Sequence, residues 1–333
     1  MRKNQAGPSR NRARAILALA ALTLLSLALD SCASTYFYDM AIARNGSRAA
    51  LQRSRDLKAQ PKPGGSSQAE TARAWQTAWF DEEPFETVSI SSEDGLRLVG
   101  YWLPAEKPSR DCVILAHGYT SRARYMSDFA RFYREELGFN VLMPDARGHG
   151  ASEGDYIGMG WPERRDYVRW ITWLIGRQGE DSRIVLHGVS MGGATVLMAS
   201  GEALPPNVRA VIEDCGYTSA DEEFSYQIGR LYHLPRSPII PTTSRLTKQR
   251  AGYSFEEASA LAQVRKSRTS TLFIHGEDDN FVPFEMVKRL YAACPADKAL
   301  FVVPGAGHGA SFWVDRQGYT QAVRDFLGKR LGG

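Results

Sequence analysis

A serine flanked by glycines, Gly188-Val189-Ser190-Met191-Gly192, stands between the apolar run Ile184-Val185-Leu186 and a small, apolar stretch from Ala194 to Gly201. In that strand–turn–helix setting, a G-x-S-x-G turn lifts the serine hydroxyl above a sheet edge, at a helix N-terminus whose free N–H groups favour developing negative charge. The glycines relieve the clashes of a sharp reversal that strains the serine backbone. A serine hydroxyl is a weak nucleophile at neutral pH and needs an adjacent base. His308, in Gly305-Ala306-Gly307-His308-Gly309, is the candidate. A third group must fix the tautomer of that histidine and stabilise its imidazolium. Asp278 and Asp279, in His275-Gly276-Glu277-Asp278-Asp279, both qualify. This chemistry is acyl transfer, and its tetrahedral oxyanion needs two aimed N–H donors. The backbone of Met191 supplies one, and Tyr119, in His117-Gly118-Tyr119-Thr120-Ser121, the other. His117 and His149, each before a glycine, are expected to brace loops, and Cys215 takes no role.

These residues must be positioned by strands and helices. ETVSISSEDG and RLVGYWLP alternate around a turn at Glu93-Asp94-Gly95 and predict an antiparallel hairpin. DCVILAHG, FNVLMPDARGHG, SRIVLHGVSMGG, NVRAVIEDCG, STLFIHGEDD and ALFVVPGAGHG each predict a strand running into a loop. Helical spacing recurs from Arg124 to Leu137, through WPERRDYVRWITWLI, and from Tyr319 to Leu331. Alternation of this kind predicts an α/β fold: a mostly parallel, doubly wound sheet with an antiparallel N-terminal hairpin. All the chemical candidates follow strands, the edge where open α/β sheets bind ligands.

Together the motifs resemble the α/β-hydrolase superfamily over residues 85–331. Within it, the chain is similar to bacterial membrane-associated or cell-surface hydrolases near the BEM46-like and dienelactone-hydrolase-like groups. The matching pieces are HGYTS (117–121), PDARGHGASEG (144–154), GVSMGG (188–193), EDCGYTS (213–219) and HGEDDNFVPF (275–284). The order serine, acid, histidine along the chain is that of the superfamily. The resemblance implies that the acid lies four residues after His275, which selects Asp279. It also implies carboxylester hydrolysis, no cofactor and no metal, and a small helical cap over residues 217–266. Relatives include esterases, lysophospholipases, thioesterases and peptidases. An acyltransferase or peptidase using the same residues, or a non-catalytic exported binding protein on this fold, are the alternatives. The cap segment mixes aromatics (Phe224, Tyr226, Tyr232) with cations (Arg230, Arg236, Arg245, Lys248, Arg250), so an anionic or lipid-like ester is considered as substrate.

The 333 residues, 43% hydrophobic, suffice for one sizeable core. The net charge of +4 is misleading, because residues 1–31 hold five basic residues and one acid. The remainder is neutral, which argues against a nucleic-acid partner. Cys32, Cys112, Cys215 and Cys294 have no metal-ligand spacing. Cys112 and Cys294 are expected to be small apolar fillers.

The basic N-terminus precedes the uncharged run Ala15 to Leu29, as in an export signal. Three fates are open. Leu29-Asp30-Ser31-Cys32 resembles a lipobox with Cys32 lipidated, although Asp30 stands where a small or apolar residue is usual. The run could stay as an uncleaved anchor, with Tyr36, Phe37 and Tyr38 at the membrane interface, or cleavage after Ala33 could release the chain. Each fate leaves the folded part outside the cytoplasm, on the cell membrane in the first two. The expected organisation is a signal or anchor at 1–31, a spacer at 32–74 containing QPKPGGSSQ, and a hydrolase domain at 75–333. Expected partners are a small-molecule or lipid ester and, through the N-terminus, the membrane.

Overall fold

The computed structural model describes residues 32–44, 46 and 78–332. The expected signal or anchor at 1–31 and the QPKPGGSSQ stretch lie outside the described residues. No helix among the described residues is long and apolar enough to cross a membrane.

Eight strands form one sheet: β1 (Glu86–Ser91), β2 (Arg97–Leu103), β3 (Asp111–Ala116), β4 (Asn140–Pro144), β5 (Arg183–Val189), β6 (Val208–Asp214), β7 (Thr271–Gly276) and β8 (Lys298–Val303). Their spatial order is β1-β2-β4-β3-β5-β6-β7-β8. The β1–β2 and β2–β4 pairings are antiparallel, and the others are parallel. Strands β4 and β7 are buried along their whole length, because helices cover both sheet faces. The two-residue repeat sends Cys112, Ile114 and Ala116 of β3 into one core, and Val113 and Leu115 into the other.

The helices are α1 (Ser127–Arg131), α2 (Glu163–Gln178), α3 (Met191–Ser200), α4 (Ala220–Tyr232), α5 (Ile239–Ala251), α6 (Ala260–Val264), α7 (Glu285–Ala293), α8 (Ser311–Val314) and α9 (Arg316–Leu331). The sequence predicts one helix from Arg124 to Leu137. The structure divides that path into a tight turn at Ala123–Met126, α1, and a widened turn at Phe132–Glu136. The widened turn carries Tyr133, whose hydroxyl meets the buried His187 Nδ1 at 3.0 Å. Helix α3 is buried on every side, which its sequence MGGATVLMAS permits because it holds no charge. Helices α4 to α6 occupy the expected cap segment. Ser219 and Ser259 cap α4 and α6 by accepting from the backbone N–H of Glu222 and Ala262, each cap being worth about 1 kcal/mol.

The expectation of a spacer beginning at residue 32 differs from the structure. Residues 32–41 are helical, and the segment to 44 packs on the domain. Tyr38 and Ile42, four apart and so on one helix face, are buried in the main core. Ile42 O accepts from Ile157 N–H at 2.8 Å, and Arg44 N–H donates to Asp155 O at 2.9 Å. The Arg44 guanidinium donates to the carbonyls of Gly150, Ser152 and Gly154. A composition shift near Trp75 marks the start of β1's approach but gives no sign of this earlier contact, which depends on shape.

Candidate active site

Ser190 sits between β5 and α3 with φ 59° and ψ −120°, in the strained region expected of the turn. Two glycines are required by close approach. A Cβ on Gly188 would lie 2.1 Å from Gly192 O, and one on Gly192 would lie 2.0 Å from Ala116 O. The Ser190 N–H donates to Asp214 O at 2.8 Å, which ties the turn to β6.

Residues 118 distant in the chain meet here: Ser190 Oγ is 2.8 Å from His308 Nε2. His308 Nδ1 is 2.8 Å from Asp279 Oδ2. The chain of contacts is consistent with a neutral imidazole whose Nδ1–H donates to the carboxylate and whose Nε2 accepts from the serine. Asp279 is buried, whereas Glu277 and Asp278 are exposed, so the structure joins His308 to the carboxylate selected by the family pattern. Asp279 Oδ1 accepts from the backbone N–H of Phe281 and Val282, at 2.8 and 2.9 Å. Burial alone would push the Asp279 carboxyl up. Donors from His275 and His308 outweigh it and hold the group well below the usual carboxylate range. The Phe281 ring lies over His308, with centroids 4.8 Å apart.

The other candidates fall close by. A Cβ on Gly118 would touch Ser190 Cβ at 3.4 Å, so the strand-end loop carrying Tyr119 runs against the serine. Met191 follows Ser190 directly as the first residue of α3. His117 and His149 brace loops. Each has Nδ1 on a backbone carbonyl (Gly118 and Arg147), while Nε2 accepts from Ala146 N–H and Thr120 N–H respectively. Burial lowers the His117 pKa, keeping the ring neutral. Cys215, with φ 50°, is buried beneath the site, and its thiol lies within 4.8 Å of the Asp279 and His308 ligand atoms. Burial and the neighbouring carboxylates push that thiol well above its ordinary value. A protonated thiol beside a carboxylate and imidazole already bonded to each other suits a proton relay better than a metal. Cys112 and Cys294 are buried fillers, and Cys32 is exposed.

Ser190 opens onto a cavity of about 160 Å³ lined mainly by apolar side chains, among them Tyr119, Met159, Phe224, Ile228, Phe255 and Phe281. Of the expected cap aromatics, Phe224 and Tyr232 line it. Tyr226 instead donates to Asn280 O at 2.9 Å, tying α4 to the loop that carries the acid. None of the five cap cations lines the cavity. Arg236, Lys248 and Arg250 pair with Asp221, Glu257 and Asp39, and Arg230 holds Gln227 and covers the Phe281 ring. The cations therefore give no support to an anionic group in the cavity.

Sequence reasoning missed two contributors. Phe37, Met40 and Ala41 of the 32–41 helix line the cavity. Their sequence signal is a cluster of apolar residues after the uncharged run Ala15 to Leu29. Glu223 lines it too, with one carboxylate oxygen bonded by Gln227 and the other without a partner. Burial pushes its pKa up to about 8. No sequence pattern marks it.

Sheet order, nucleophile turn and relay define a class, and comparison with known proteins gives the same class. The family model described as "Alpha/beta hydrolase family" matches residues 113–322. The chain belongs to this family. It is 31% identical to the uncharacterized protein YqkD of Bacillus subtilis over 249 residues, covering 74% of this chain and 81% of the relative. It is 28% identical to the uncharacterized protein YfhR of Escherichia coli K12 over 249 residues, covering 73% and 80%. Among solved structures, the Pyrococcus furiosus esterase Pf2001 aligns with a TM-score of 0.61 and 26% identity, over 75% of this chain and 92% of that one. Family and structural neighbours support a hydrolase.

Proposed function

We propose that the protein cleaves carboxylic esters through an acyl-enzyme, with Ser190 as nucleophile, His308 as general base and acid, and Asp279 as the group that orients the imidazole. The observation that carries this is a continuous relay, from Asp279 through His308 to Ser190, opening on an apolar cavity. Ser190 Oγ attacks the ester carbonyl carbon as its proton passes to His308 Nε2. The oxyanion is held by the backbone N–H groups of Tyr119 and Met191. Collapse breaks the ester C–O bond, and His308 returns the proton to the departing alcohol. Water then gives a proton to His308 and attacks the acyl carbonyl, and collapse releases the acid and re-protonates Ser190. Asp279 stays ionised throughout, and its low proton affinity suits that task. The cavity takes the acyl chain.

The test uses a fluorophosphonate probe and p-nitrophenyl esters. The wild-type chain should be labelled at Ser190 and turn over the esters, and Ser190→Ala should lose both. Turnover unchanged in Ser190→Ala would exclude the mechanism.

The same reading extends to placement, near the BEM46-like group. The basic N-terminus and the run Ala15 to Leu29 export the chain and hold it at the outer face of the membrane, either as an uncleaved anchor or through lipidated Cys32. The exposure of Cys32 is compatible with modification. Residues 75–333 form the catalytic domain, with 217–266 as its cap. Mass spectrometry of the native N-terminus decides between the fates. A chain beginning at Ser34 would exclude both forms of anchoring.

A further inference from the structure

We propose that the mouth of the apolar cavity faces a lipid bilayer, and that the ester it receives is a membrane lipid whose acyl chain enters beside the 32–41 helix. The proposal rests on the ester-hydrolase reading and names the source of the substrate.

The helix is a fixed wall of the cavity. Phe37, Met40 and Ala41 face into it, while Tyr38 and Ile42 are buried in the core. Tyr119, beside the nucleophile, donates its hydroxyl to Ala41 O at 2.7 Å. Tyr232 of α4 reaches across to Met40 Sδ at 2.9 Å, and its ring meets Phe37 edge-on at 5.4 Å. The cavity is thus closed on one side by the segment that follows the export run.

That origin sets the distance to the membrane. Leu29 ends the apolar run, and the first described residue of the helix is Cys32. Three residues span at most about 10 Å, and Tyr36 lies about 6 Å further along the helix. If the run is held in a bilayer, the cavity wall stands at its surface.

The rim has the composition for contact. Tyr36, Leu231, Tyr232 and Leu234 are 48%, 43%, 39% and 39% exposed. Tyr36 packs edge-on against Phe37, at 5.3 Å, so the exposed surface is continuous with the cavity lining. A contiguous apolar surface joined to an apolar pocket signals an interaction site. Tyrosine, with an apolar ring and polar tip, suits the membrane interface. Among the described residues, the bilayer is the occupant for which the chain itself supplies the approach.

The experiment uses the full chain in phosphatidylcholine vesicles, with 4-methylumbelliferyl palmitate in the bilayer as one substrate and soluble p-nitrophenyl butyrate as the other. The rim variant combines Tyr36→Ser with Leu234→Ser, two residues outside the cavity lining. Vesicle turnover should fall at least about ten-fold in this variant, while butyrate turnover stays within about two-fold. The butyrate arm also reports that the variant is folded. Tyr36→Ser alone should give a smaller loss in the same direction. Wild-type chain that cleaves butyrate but not bilayer palmitate would overturn the proposal and leave the hydrolase reading standing. So would a rim variant with unchanged vesicle turnover. A rise in butyrate turnover in the rim variant with no change on vesicles would mean that the chain's own apolar run covers the rim, which also overturns the proposal. Wild-type chain that cleaves neither ester would overturn both readings.

Discussion

His275 Nε2 lies 3.3 Å from Asp279 Oδ2, with both side chains fully buried, so the carboxylate that meets His308 is flanked by a second imidazole. His275 Nε2 also lies 3.0 Å from Val282 O, which fixes the ring against the acid loop. Burial alone would lower its pKa, but the contact with the Asp279 carboxylate raises it. His275 is a positioning residue for the acid. In His275→Phe the carboxylate loses one flanking imidazole, although His308 and the N–H groups of Phe281 and Val282 still hold it. The kcat at pH 8 should fall about ten-fold as the acid loop loosens, while KM stays within about two-fold. An unchanged kcat would leave His275 with a packing role only.

The two adjacent aspartates differ in burial, and their substitutions should differ in effect. Asp279→Asn offers His308 an amide that can stabilise the wrong tautomer, and kcat should fall by about 10⁴. Asp278→Asn, at an exposed side chain, should stay within about two-fold. Steady-state kinetics on one ester checks both. Equal losses would mean that the acid is not the one bonded to His308.

Glu213, next to the Asp214 carbonyl that anchors Ser190, is fully buried and accepts from Gly216 N–H, with its other oxygen unpartnered. Burial pushes its pKa from 4.5 up to about 8. Between those values the folded state holds a proton that the unfolded state has lost, so stability falls as pH rises. Glu213→Gln keeps an acceptor for Gly216 without the ionisation. Its stability relative to wild type should therefore increase from pH 5 to pH 8. Urea unfolding at the two pH values measures this, and a pH-independent difference would count against the buried-acid account.

Arg147 explains why the PDARGHG stretch is present near a site that it does not enter. Its guanidinium makes a two-pronged pair with Asp166 at 2.7 Å on each arm and reaches Asp94 at the hairpin turn. Its side chain is 4% exposed and that of Asp166 is 5%. Arg147→Ala leaves a buried carboxylate alone, which should cost about 3–5 kcal/mol. Arg147→Ala with Asp166→Ala should cost less than the two single losses added together. Denaturant unfolding of the set tests the coupling.

The legible part of the site was chemical and local. Gly188 and Gly192 bracket Ser190 because backbone oxygens stand about 2 Å from where their Cβ atoms would be, a steric demand of the turn that residue type alone reports. His308 is marked by its flanking glycines, and the strands around it by uninterrupted apolar runs. Asp279 needed more than the turn, since Asp278 beside it has the same chemistry. The family spacing selected one, and the fold gives the physical reason by burying it against two imidazoles.

Residue types and local periodicity therefore determined the α/β alternation, the antiparallel entry and the candidacy of Ser190 and His308 for the proposed proton relay, and left Asp278 and Asp279 open. Those properties depend on steric and hydrophobic patterns within a few residues. Tertiary structure alone decided that the 32–44 segment forms a cavity wall, that none of the cap cations lines the cavity while Arg236, Lys248 and Arg250 pair with acids, and that Glu223 is left with an unpartnered oxygen. Each of these is a meeting of surfaces distant in the chain. Such meetings follow from packing shape and the cost of burying unpaired polar groups, and neither is written in a short stretch of sequence.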